Sequence, residues 1–335
     1  MSGLTKKIVS LFVLLVLAFS VAGCSYDSDY FLESTSDAVP VRESTSASTS
    51  LYVRSSFDEN RYPYFSMLSE TEKNMYSLIY EELSKGNQKF ECPISVTADQ
   101  LTRAVDSVLN DHPELFWIDN NYGYSYDPVD GSILEINFVF FDFADTPEKL
   151  KNARLAFESA ADAIVSKSLP YAKLAERELF IHDYICEHTE YDVEAPYNQS
   201  AYSVLVLHRS VCAGYARSFQ YLMQKAGFTC YYVTGRTDVS TGRSVDGRFE
   251  SGAHSWNMVL LNGDFYNVDC LWDDTASENY GSSIYPFFNI TDNNLLHHQR
   301  TGMAISLPGC TATEYKYSNQ FGPTIEVDSI VFDET

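Results

Sequence analysis

Basic residues are scarce in this chain. It has 23 lysines and arginines against 46 aspartates and glutamates, a net charge of −23. Nucleic acid is held by a basic face that displaces counterions, so this balance excludes it as a partner. Metal signatures are missing too. No HExxH, paired CxxC or EF-hand spacing occurs, and a catalytic zinc or a calcium loop needs its ligands at such spacings. The pairs His297-His298 and Asp273-Asp274 are the features on which a metal reading would rest; the expectation is no metal and no other cofactor. Long apolar runs are limited to Ile8–Ala22, too short and wrongly flanked for a transmembrane helix. The seven cysteines form no dense framework, and a chain of this size does not need staples. Cys92, Cys186, Cys230, Cys270 and Cys310 are therefore read as small buried hydrophobes, with pairing of some left open.

What is present begins with a targeting segment. Lys6 and Lys7 precede the apolar run, which ends in Val21-Ala22-Gly23-Cys24. That tetrapeptide resembles the lipobox of bacterial lipoproteins, in which the cysteine is diacylated and becomes the first residue. The resemblance implies a signal peptide at 1–23 and a lipid anchor at Cys24, holding the protein on the outer side of a bacterial membrane. Residues 24–56 carry "ESTS" twice and cannot bury enough apolar surface to offset chain entropy. They are expected to be a disordered tether.

Order is expected from Phe57. Ser69 with Glu72 is a capping-box pattern ahead of an apolar helical repeat that ends at Gly86. Thr97 starts a second helix that stops before Pro113, and Thr146 followed by Pro147 starts a third. Between them "WIDNNYGYSYDPVDGSILEINFVFFDF" reads as two strands about a turn. Residues 57–170 thus make a small α+β domain, residues 171–315 a second and larger one, and 316–335 a tail. In the second domain a helix from Leu174 bears His182 and His188. Six residues apart, they point about 240° from each other and make no joint metal site, so they are read as surface or capping histidines. Segment 236–253 is polar and glycine-rich, and is expected to be a long loop.

The chemistry concentrates in two stretches. In "SVCAGYARSFQYLMQKAGF" an apolar face repeats at helical spacing, with Ser210 as expected cap and Cys212 in the first turn. There the helix dipole favours a thiolate. Ala213 and Gly214 are read as leaving room for a substrate backbone. In "HSWNMVLLNGDFYNVDCLW" the Asn262-Gly263 pair predicts a two-residue hairpin turn. Leu261 then pairs with Asp264, and continuing the register sets Trp256 opposite Asp269 and His254 opposite Leu271. His254 and Asp269 become diagonal neighbours on one sheet face; a three-residue turn would separate them. A thiol, an imidazole and an orienting carboxylate are the parts of a covalent acyl-transfer site. Trp256 on that face and Tyr215 beside the cysteine are the candidates for lining a substrate site, with core packing the alternative for Trp256.

The blocks "VCAGYA", "HSWN" and "VDCLWDD", in this order, resemble the transglutaminase-like core of bacterial proteins; "IHDYICEHTEYD", "YPFFNITDNNLLHHQ" and "DHPELFWI" extend the resemblance over most of residues 60–315. It implies a papain-like α+β fold, with a catalytic helix packed on an antiparallel sheet. It implies Cys212 as nucleophile, His254 as general base and Asp269 as its orienter. Leu271 departs from the threonine often found before the tryptophan. The function expected is a cysteine enzyme acting on peptide or protein amides, cell-wall peptide among the candidate substrates, with hydrolysis favoured over crosslinking. The alternative is a non-catalytic surface binding protein on the same fold.

Overall fold

The structure, a computed structural model, describes residues 57–238 and 252–330. The expected signal peptide, the tether and Cys24 lie outside the described residues.

A short helix α1 (Pro63–Ser66) leads into α2 (Glu70–Lys85). The capping box at Ser69 is formed, the Ser69 backbone N–H donating to Glu72 at 2.8 Å. Gly86 ends the helix at φ 85°, where a β-carbon would be strained. Strand β1 (Lys89–Glu91) follows, and was not foreseen because three residues are too few to show a period. Helix α3 (Ala98–Asp111) starts at a second capping box, Thr97 with Gln100. The expected hairpin is β2 (Ile118–Tyr126) and β3 (Ile133–Phe140), and it forms an antiparallel sheet in the order β1-β3-β2. Helix α4 (Pro147–Ser168) has Thr146 as its cap.

The second half opens with α5 (Leu174–His188), β4 (Glu190–Tyr191), α6 (Ala201–Leu205) and β5 (Arg209–Ser210), with β4 and β5 paired in parallel. Helix α7 (Cys212–Lys225) then packs on β6 (Thr229–Thr237) and β7 (Gly252–Leu261). Strand β8 (Asp264–Val268), helix α8 (Cys270–Tyr280), strand β9 (His298–Arg300) and helix α9 (Tyr317–Gln320) follow. The larger sheet is antiparallel, in the order β8-β7-β6-β9. The architecture is α+β, as expected.

Two boundaries differ from the sequence reading. The polar loop is shorter, because Thr237 pairs with Gly252 and carries the β6–β7 ladder into it; residues 239–251 lie outside the described set. The second hairpin strand stops at Val268, since Asp269 caps α8 by accepting from the Trp272 N–H at 3.1 Å. A carboxylate at an N-cap satisfies a first-turn donor, and here that local bond overrides the strand pattern.

The N-terminal elements are bolted to the helix and sheet that carry the cysteine and histidine. Tyr64 donates to the Tyr232 carbonyl at 2.7 Å, and Gln220 donates to the Asn110 carbonyl at 2.9 Å. Arg217 reaches the Leu109 carbonyl and stacks its guanidinium on Tyr232. Residues of both halves share one buried apolar cluster. Beyond residue 316, Tyr317 stacks on Tyr285 at 4.0 Å and Val327 is buried.

Candidate active site

Cys212 is the first residue of α7. The helix forms because Tyr215, Phe219, Leu222 and Met223 are buried together on one side, and Gly227 at φ 92° lets the chain turn away. Its N-cap is Val211, which has no side-chain bond to offer, rather than Ser210. Ser210 belongs to β5, and its hydroxyl donates to the Asn198 carbonyl at 2.6 Å. Gly214 is likewise committed to the protein itself. A β-carbon there would lie 1.9 Å from Ser210 Oγ and 2.8 Å from the Asn198 carbonyl, so the glycine serves internal packing and not substrate approach. Cys212 is buried.

His254 lies on β7. The Asn262-Gly263 turn has the positive φ values, 51° and 98°, that a two-residue hairpin of this hand needs. Leu261 pairs with Asp264 and Asn257 with Val268, the register read from the sequence. One residue on, Asp269 leaves the strand, and its Oδ2 meets His254 Nε2 at 2.6 Å. Asn257 fastens this strand to the cysteine helix, its Nδ2 donating to the Ala216 carbonyl at 2.9 Å and the Tyr231 carbonyl at 3.2 Å. Helix start, imidazole and carboxylate are thereby carried on elements that pack directly on one another.

Residues 159–270 match the transglutaminase-like superfamily. Over that segment the chain matches a transglutaminase-like core. Kyphoscoliosis peptidase of Mus musculus is 30% identical over 152 residues, which are 42% of this chain and 22% of that protein. Its Homo sapiens counterpart is 32% identical over 129 residues, 36% of this chain and 19% of that protein. The chain thus spans about a fifth of the length of the curated relatives it matches. The periplasmic domain of TgpA from Pseudomonas aeruginosa is similar at 12% identity and a TM-score of 0.29, over 48% of this chain and 63% of that one.

A fourth polar residue lies at this site. His298 on β9 points its Nε2 at the same Asp269 oxygen, 3.0 Å away. Among the described residues, His254, Asp269 and His298 are the set whose ligand-type atoms converge, all within 4.8 Å. Their separations of 2.6 and 3.0 Å are hydrogen-bond lengths. Burial alone would raise the Asp269 carboxyl, but the two imidazoles outweigh it and hold the group well below the usual carboxylate range. Asp269 is therefore an anion at any pH of interest. The sequence reading had weighed His297-His298 only as a metal pair, and nothing local reveals that β9 returns to the edge of β6.

Other expectations change. Tyr215 is 1% exposed, and its hydroxyl sits between the Thr189 carbonyl at 2.8 Å and Asp274 at 3.1 Å. It braces the cysteine helix and does not line a substrate site. Trp256 is also 1% exposed; its Nε1 donates to Asn267 at 3.2 Å, and its ring lies 5.1 Å from that of His298. It is packing beneath the site. His182, expected at the surface, is buried and bonded to Asp273 at 3.1 Å, while His188 is exposed and bonds the Tyr184 carbonyl as a helix-end histidine does. Asp273 also accepts the Phe287 N–H at 2.7 Å, so the acidic pair braces the segment after the hairpin. Among the described residues, a surface groove lined by Gly86, Leu150 and Arg154 lies elsewhere.

The other described cysteines are chemically quiet. Cys92, Cys186, Cys230, Cys270 and Cys310 are free thiols, and burial pushes each above its ordinary value. Fewer thiolates means slower reaction at these five positions, Cys270 included although it too begins a helix.

Gly235 makes the geometry possible. It pairs with His254 on one side and Arg300 on the other. A β-carbon there would lie 2.3 Å from the Trp256 ring and 2.5 Å from the Gln299 carbonyl. Gly235→Ala should therefore cost about 1–3 kcal/mol by overpacking and displace the Trp256 ring. Urea denaturation and the near-ultraviolet tryptophan signal measure both; unchanged stability would show that the strands part without cost.

Proposed function

We propose that this chain is a transglutaminase-like cysteine enzyme that cleaves peptide or protein amides through Cys212, His254 and Asp269. The observation that carries the reading is the 2.6 Å contact of His254 Nε2 with Asp269 Oδ2, on the sheet against which the Cys212 helix packs. With Nε2 turned to the carboxylate, Nδ1 is the nitrogen left to serve the thiol. The match over residues 159–270 and the peptidase relatives support the same chemistry.

His254 takes the proton of Cys212, and the thiolate attacks the amide carbonyl, forming the C–S bond. The α7 start, which lacks a side-chain cap, offers N–H groups to the oxyanion. Collapse breaks the C–N bond, and the amine leaves with the proton from His254. Water, deprotonated by His254, then attacks the thioester, releasing the acid and the thiol. Asp269 holds the tautomer and stabilises the imidazolium throughout. Hydrolysis is preferred to amine transfer because an acyl-enzyme outside the cell meets water in vast excess.

Incubating the reduced protein with a glutamine peptide and a labelled primary amine tests this. Acid product should dominate and should vanish in Cys212→Ala. Dominant amine incorporation would make the chain a crosslinking enzyme, and no product from a panel of peptides would favour a binding role. The membrane anchor at Cys24 is part of the proposal and rests on the lipobox resemblance alone. A tagged fatty acid should label the wild type and not Cys24→Ser; label retained in the variant would remove the anchor.

A further inference from the structure

His298 has both ring nitrogens engaged. Nδ1 lies 2.9 Å from the Leu296 carbonyl oxygen, and Nε2 lies 3.0 Å from Asp269 Oδ2. A carbonyl can only accept, so Nδ1 carries a proton. Oδ2 belongs to a carboxylate and also accepts only, and it is the same oxygen that receives His254 Nε2 at 2.6 Å. A neutral His298 with its proton on Nδ1 would aim a lone pair at an anion. The geometry is satisfied when both nitrogens donate, which requires the imidazolium.

The surroundings keep the ring in place. Thr237 of β6 pairs with His298, and the rings of Trp256, Trp272 and Phe287 lie 5.1, 4.2 and 5.9 Å from it. The titratable groups acting on it are Asp269, at the cap of α8, and His254, on β7. Asp273, one turn into α8, is engaged by His182. From β9 itself, Arg300 is taken by Asp292 at 2.7 Å. His297 bonds the Asp238 carbonyl at 2.7 Å. Burial drives the His298 imidazole below its ordinary value and the His254 charge adds to this, while Asp269 opposes both.

We propose that His298 is a positioning residue of the cysteine site: as an imidazolium held by the Leu296 carbonyl, it fixes Asp269 Oδ2 toward His254 and, through its charge, sets the pH at which His254 shares the Cys212 proton. The inference rests on the cysteine-enzyme reading above. A carboxylate between two imidazoles is pinned from both sides, so His254 keeps one orientation. When His298 loses its proton, one of its two bonds is lost; if the remaining proton sits on Nδ1, the carboxylate is free to turn.

The test is the alkylation rate of Cys212 by iodoacetamide against pH, on the reduced full chain, read by mass spectrometry of its peptide. It needs no substrate. In His298→Ala the neutral-pH rate should fall at least about tenfold. His298→Gln keeps an N–H donor for Asp269 without the charge. It should recover most of the rate, with its midpoint moved up by about half a pH unit or more. A Gln variant as slow as Ala, or one with the wild-type midpoint, overturns the proposal. Ring ¹⁵N shifts of the wild type, assigned with the Gln variant, check the protonation without relying on how the variants fold. Both nitrogens of His298 should be protonated at the acid end of the rate profile, and a ring that stays neutral there overturns the proposal. A wild-type rate profile like that of a free thiol, unchanged in His254→Ala, would instead sink the cysteine-enzyme reading. A perturbed wild-type profile that both His298 variants share sinks only the role of His298.

Discussion

Asp269→Ala is expected to lose both activity and much of the stability. Three donors converge on this carboxylate: the His254 and His298 rings on Oδ2 and the Trp272 N–H on Oδ1. Removing one partner from a buried charged set costs about 3–5 kcal/mol, and the lost cap of α8 adds about 1 kcal/mol. Activity should fall by roughly ten-thousandfold, the size seen when the orienting carboxylate of a serine-protease triad is neutralised. Asp269→Asn separates the two effects. Asparagine caps a helix as well as aspartate does, so α8 and part of the stability should return. Activity should not, because a neutral amide neither stabilises an imidazolium nor enforces its tautomer. Urea denaturation alongside peptide turnover measures the split. An asparagine variant with wild-type turnover would remove Asp269 from the mechanism.

The second large effect lies away from the cysteine and appears as a pH dependence. Glu178 of α5 is fully buried. Asn289 donates to its Oε2 at 2.8 Å, and Oε1 has no partner. Burial raises its carboxyl from 4.5 to about 8, with Asn289 and the His182 charge opposing. The folded state therefore keeps a proton that the unfolded chain releases above its ordinary value. The sign follows: stability is fully present below pH 4.5, falls as pH rises, and is lost through about 8. By pH 7 the loss is about 3 kcal/mol. Glu178→Gln is permanently neutral, so its stability advantage over the wild type should be near zero at about pH 4 and grow to that figure near neutrality. Parallel stability curves across that range would show that Glu178 titrates normally.

These two carboxylates show how unevenly the chain could be read. Asp269 was legible because a local signal fixed its distant partner. Asn-Gly accepts the positive φ pair of a two-residue turn, the turn sets the pairing register, and the register sets the face. The helix caps at Ser69, Thr97 and Thr146 were legible for the same reason, since each bond spans three residues. Even within that hairpin the reading stopped at Val268. There a cap bond competed with the strand pattern, and the cap won. Glu178 showed no signal, because an acidic residue on a helix is usually solvated, and burial is decided by what packs against it.

The sequence by itself determined the cysteine helix, the hairpin register and hence the pairing of His254 with Asp269, all from interactions spanning a few residues. Only the tertiary structure decided that β9 closes on β6, and so brings His298 to Asp269. It also decided that Tyr215 and Gly214 serve internal packing, and that His182 and Glu178 are buried. Those outcomes depend on which surfaces exclude water together. That is a property of the assembled chain, and no short window of residues carries it.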